Sequence, residues 1–270
     1  MSPELEALLH TKDLDDLQRA RQRLGRVSRR DSQAALSVLE QWADHQAVAN
    51  VLFHPDLLPR PLQMRYLMKA LEETDMPYFK LAAVVGLQRL TEELDGRVEA
   101  AYVREFGAPD RIENNWKGMG ERLAQIYDRA LGPDERDEWR AILDRLFALI
   151  EDAGEVTRAF ALASPDTNRT LLDEAIADRA TVLLPSLVEL ADAPRLVRFL
   201  DHPSEGVQNN VLWTLLFLVG TERVARLVAE AADAGEVSPA ATEYAQQNDE
   251  PMMLFAYIPN LAELGTTRTE

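Results

Sequence analysis

Apolar residues along this chain recur mostly at intervals of three and four. The clearest run is residues 201–220, where Val207, Val211, Thr214/Leu215 and Leu218 fall at i, i+4, i+7, i+8 and i+11, the spacing of a buried helical face. Pro203 stops the helix before it, Asp201 and Ser204 offer acceptors to the loose amides of the turn, and Gly220 supplies a C-terminal stop. A second copy lies at residues 75–90. There Asp75 and Pro77 open the turn, and Phe79, Ala83, Gly86, Leu87 and Leu90 repeat the same offsets.

The same period predicts helices over 3–9, a second marked by Leu14, Leu17 and Leu24, then 32–43, 48–53 and 62–71. Further helices are expected over 77–94, 98–106, 121–131, 133–153, 156–163, 168–179, 182–191 (Pro185 as a first-turn proline) and 194–200, and after residue 220 over 222–234, 238–247 and 251–264. Residues 107–120, with Pro109, Asn114, Asn115 and three glycines, break the pattern as an irregular loop or insertion, and 265–270 reads as a frayed tail. No stretch keeps strict alternation, so no sheet is expected. A short apolar helix, then x-Pro-Asp/Ser, then a longer helix recurs at His54-Pro55-Asp56, at Ser164-Pro165-Asp166 and at His202-Pro203-Ser204. Pro165 and Pro203 stand 38 residues apart, within the range of helical repeats.

These turns, with their small residues Ala83 and Gly86 at helix contacts, resemble the second helix of a HEAT repeat, most strongly over residues 46–94 and 194–220. Lys80 keeps the basic residue of that pattern, whereas Gln208 stands where the family often has arginine. The resemblance implies an all-α, right-handed α-solenoid of antiparallel helix pairs over residues 1–270, each pair burying its apolar face on its neighbours. Arrays of this kind present a concave surface to extended partners, which implies a protein-interaction scaffold.

Composition narrows the chemistry. Hydrophobic residues make up 46% of 270, which excludes a disordered chain. No apolar run is long enough to span a membrane and the N-terminus carries no signal pattern, so a cytoplasmic protein with no membrane partner is the expectation. Cysteine is absent, and His10, His45, His54 and His202 have no metal-ligand spacing, so neither a metal nor another cofactor is expected. The net charge of −17 argues against nucleic acid as a partner.

Two features are candidates for binding another protein or peptide segment. On the helix after Pro203, Asn209, Trp213 and Phe217 form a stripe beside the core positions; it reads either as packing against the next repeat or as an aromatic hot spot. In residues 17–30, Arg19, Arg21, Arg23, Arg26, Arg29 and Arg30 stand with no acid between them. Of these, Arg19, Arg23, Arg26 and Arg30 would line one side of a helix if it continued past Gly25. Residues 227–267 carry seven acids and no base, so the basic end suits an acidic partner, including a second copy in salt-sensitive self-association.

Catalytic motifs are lacking. Adjacent acids such as Glu72 and Glu73 diverge on a helix, and no phosphate loop or nucleophile elbow occurs. Among enzymes of HEAT-like architecture, the metal-binding His-Glu pairs of deoxyhypusine hydroxylases have no counterpart here. An enzyme acting on a nucleic acid base, as the alkylpurine DNA glycosylases do, or on a chromophore, as the lyase-like HEAT proteins do, is the alternative function.

Overall fold

The computed structural model describes residues 1–73, 76–106, 126, 131–162 and 167–248. It is all-α, with no strand among the described residues. The chain divides into two compact units, Met1–Leu90 and Thr91–Glu270. No helix among the described residues is long and apolar enough to cross a membrane. The irregular segment expected at 107–120, the 121–131 helix apart from residues 126 and 131, the 251–264 helix and the 265–270 tail lie outside the described residues, as do Asp75 and the Ser164-Pro165-Asp166 turn.

In the first unit the helices are Pro3–His10, Leu14–Leu24, Arg29–Gln41, His45–Phe53 and Arg60–Glu72, followed by the first part of Pro77–Phe106. Leu5, Leu8, Leu39, Val48, Val51, Leu67 and Phe79 fill the core at helical spacing, each such side chain contributing about 1.5–3 kcal/mol on burial. The hydroxyls of Ser2 and Ser28 accept the amides of Leu5 (3.2 Å) and Asp31 (3.1 Å) at their helix starts. The Asp31 carboxylate accepts the Ser2 N–H (2.6 Å) and the Ser28 hydroxyl (2.7 Å), and these bonds, above all the one from Ser28, hold its pKa below the ordinary value.

The end of the Pro3–His10 helix is closed from a distance. Asn50, 1% exposed, donates its side-chain amide to the carbonyls of Leu8 (2.9 Å), Leu9 (3.1 Å) and Thr11 (2.8 Å), while Gln46 donates to its Oδ1 (3.0 Å). These are carbonyls at and just past the helix end, of which that of Leu8 also accepts the Thr11 N–H (3.3 Å). Asn50→Ala is therefore expected to lower the stability of the chain by about 2 kcal/mol in urea unfolding, and a change below a few tenths would show that water replaces the amide.

In the second unit the long helix continues from Thr91, and Pro133–Leu162, Thr167–Leu187, Ala193–Arg198, Glu205–Val219, Thr221–Asp233 and Pro239–Gln247 follow. Three expected boundaries are absent. Residues 77–106 form one helix across Gly96, 133–162 one helix across Gly154, and 167–187 one helix with Pro185 in its last turn. Gly154 marks a close approach: a Cβ there would lie 2.9 Å from Cδ2 of His202. Pro185 has no N–H to give the carbonyl four residues back, and the helix ends two residues after it, at Leu187. Ser204 and Gly220 bound Glu205–Val219 as expected, Gly220 at φ 76°. Asp201 serves a different helix from the one expected, accepting the N–H of Ser238 (2.7 Å) at the start of Pro239–Gln247.

Candidate interaction surface

The aromatic stripe is not a surface. Trp213 is 7% and Phe217 4% exposed, their rings stacked with centroids 5.0 Å apart. Leu212 and Leu216 are buried too, so Glu205–Val219 is enclosed on nearly every side, beyond its core positions Val207, Val211, Leu215 and Leu218. Asn209 is half-buried and accepts the Tyr244 hydroxyl at 2.7 Å. Burial, and Glu205 after it, push that phenol up to about 12. A helix apolar all round is a core helix, and periodicity in the sequence does not show how many neighbours enclose it.

The arginine run is a surface, but not a single helical stripe. The helix stops at Leu24, and Gly25 takes φ 59°, a left-handed conformation that glycine adopts without cost. Arg19 and Arg23 lie one turn apart on Leu14–Leu24, Arg26 sits in the connection, and Arg30 with Arg29 opens Arg29–Gln41. Arg21 is drawn inward, engaging Asp56 and the Gly25 carbonyl (2.9 Å). Arg19 is exposed but paired with Asp16 at 2.8 Å. Arg23, Arg26, Arg29 and Arg30 are exposed and make no ion pair among the described residues. Sequence spacing included Arg19, which Asp16 neutralises, and passed over Arg29 because it fell off the imagined stripe. The signal for Arg29 was its place in an acid-free run.

Ser204, His202 and Asp178 come together at the turn before Glu205, and their geometry is structural. The Ser204 hydroxyl donates to Asp178 Oδ1 (2.9 Å), while His202 Nδ1 accepts the Ser204 backbone N–H (3.0 Å), so the imidazole does not face the hydroxyl it would have to deprotonate. Gly206 leaves room for this carboxylate, since a Cβ would stand 2.8 Å from Asp178 Oδ1. Burial raises the Asp178 pKa against the hydrogen bond from Ser204. His54 and His202, at matching turns of the two units, are both buried. Among the described residues no group of three or more His, Asp or Glu is arranged to hold a metal ion.

Comparison of the chain with protein-family models, with curated proteins and with solved structures gives no match.

Proposed function

We propose that the protein is an interaction scaffold, a right-handed α-solenoid of HEAT-like helix pairs, that receives an acidic protein segment on its arginine cluster. One observation carries this reading: Arg23, Arg26, Arg29 and Arg30 stand exposed without ion pairs in a chain whose acids outnumber its bases by 46 to 29. With so much carboxylate available, guanidinium groups left unpaired in water are suited to carboxylates from outside. At physiological salt the Debye length is about 8 Å, so the cluster acts locally despite the net charge. Stacked helix pairs are supported by packing between chain neighbours: Arg29–Gln41 on His45–Phe53 in one unit, and Pro133–Leu162 on Thr167–Leu187 in the other.

The test is fluorescence anisotropy with a labelled peptide rich in glutamate and aspartate, beside a lysine-rich control. Only the acidic peptide should bind, with affinity falling about tenfold between low and moderate salt and lost in Arg23→Glu/Arg26→Glu/Arg29→Glu/Arg30→Glu. Equal binding by wild type and variant, or none by either, would remove the reading.

A further inference from the structure

We propose that the acidic partner is a second copy of this chain: the arginine cluster of one copy docks on the acidic surface around Glu230, Asp233 and Glu243 of another, building open head-to-tail chains. The inference rests on the scaffold reading and gives its partner.

Charge complementarity is the first support. Glu230 and Asp233 are exposed and make no ion pair among the described residues. On Thr221–Asp233 the buried residues Val224, Val228 and Ala231 face inward, and Glu230 and Asp233 fall on the opposite, solvent side. Glu236, in the connection that follows, is held by Arg198 at 3.2 Å, and Glu243 is exposed on the next helix. Arg223 and Arg226 occupy the start of the same solvent side, so the acidic surface begins at Glu230 and runs toward Pro239–Gln247.

Position along the helices is the second support. Arg29 and Arg30 occupy the first turn of Arg29–Gln41, the end where the helix dipole is positive and cations are disfavoured. Asp31, the acid of that turn, is turned inward on Ser2 and Ser28. Glu230 and Asp233 occupy the last turn of Thr221–Asp233, the negative end, where no basic residue stands. Arg29 and Arg30 in the one unit, and Glu230 and Asp233 in the other, thus stand against the field of their own helices, whereas Arg23, in the last turn of Leu14–Leu24, stands with it. The two conflicts have opposite sign, and pairing the surfaces relieves both.

The two surfaces differ, so contact between copies is heterologous, giving open chains unless the rotation from copy to copy closes a ring. Its ionic-strength dependence should pass through a maximum: copies of charge −17 repel at low salt, and the local pairs are screened at high salt.

Sedimentation of the full chain at about 20, 150 and 600 mM NaCl tests this. The expected result is a weight-average mass that rises with protein concentration past the dimer, most strongly at the middle salt. Arg23→Glu/Arg26→Glu/Arg29→Glu/Arg30→Glu and Glu230→Arg/Asp233→Arg/Glu243→Arg should each reduce association about tenfold or more, and mixing the two variants should restore it. Circular dichroism confirms that both are folded. A wild type monomeric at every salt, a closed dimer, or a mixture that fails to associate would overturn the proposal. If the acidic peptide still binds the wild type in that case, the scaffold reading stands without it; if the peptide also fails, both fall.

Discussion

Gly86→Ala is expected to destabilise the first unit by about 3 kcal/mol, although alanine is the better helix former. A Cβ at position 86 would stand 2.2 Å from the carbonyl oxygen of Leu52 and 2.7 Å from Cδ2 of Leu67. Leu67 can rotate. The Leu52 carbonyl cannot, because it belongs to the backbone of His45–Phe53, so that helix has to move away and loosen the contacts of Val48, Leu52 and Phe79. Gly96 is the control: it lies in the same Pro77–Phe106 helix, with nothing within 4 Å of an added Cβ. Gly96→Ala should therefore stabilise by up to about 1 kcal/mol. Urea unfolding of both variants checks the pair, and the same sign for both substitutions would mean that the crossing at Gly86 is not as tight as described.

The second large effect is acid sensitivity centred on His54. This imidazole is 1% exposed, and its Nδ1 has no hydrogen-bond partner. Burial, reinforced by the positive charge of Arg89, lowers its pKa to about 3. The unfolded chain takes up this proton near pH 6.5 and the folded chain does not, so the unfolded state binds more protons throughout that window. Stability is complete above about pH 6.5 and falls by about 1.4 kcal/mol per pH unit below it, until the folded state also protonates. His54→Phe, which keeps a ring without a titrating nitrogen, should flatten unfolding free energy between pH 6 and pH 4.5 relative to wild type, as an approximate window set by those two pKa values. Parallel curves would show that other groups carry the acid response. Asp31 adds to the loss only lower down, since its folded pKa is depressed and its contribution disappears as pH falls below the ordinary carboxylate range.

Much of the helical content was legible because a helix facing a core repeats its apolar residues at a fixed period, and Val207, Val211, Leu215 and Leu218 did so and are buried. Helix ends were legible where the signal is local, as at Ser204 and Gly220. They were misread at Gly96, Gly154 and Pro185. A glycine needed for a helix crossing carries the same letter as one that ends a helix. Gly154 is distinguished only by the His202 ring beside it, which arrives from 48 residues further along the chain. The proposed interaction surface was half legible. An acid-free arginine run is visible in sequence, but that Asp16 neutralises Arg19 and Asp56 draws Arg21 inward is not.

Sequence alone shows that this protein is helical, that Ser204 caps a helix and Gly220 ends it, and that an acid-free arginine run lies in residues 17–30 and a base-free acidic run in residues 227–267. These are properties of near neighbours, set by backbone geometry and by spacing along one helix. Only the tertiary structure settles that Trp213 and Phe217 are core, that Asn50 closes a helix about forty residues away, and that Arg23, Arg26, Arg29 and Arg30 are the members of the arginine run left exposed without ion pairs. Burial, and the satisfaction of buried polar groups, depend on what the rest of the chain brings alongside, and a periodic pattern records a residue's own face but not the neighbours that cover it.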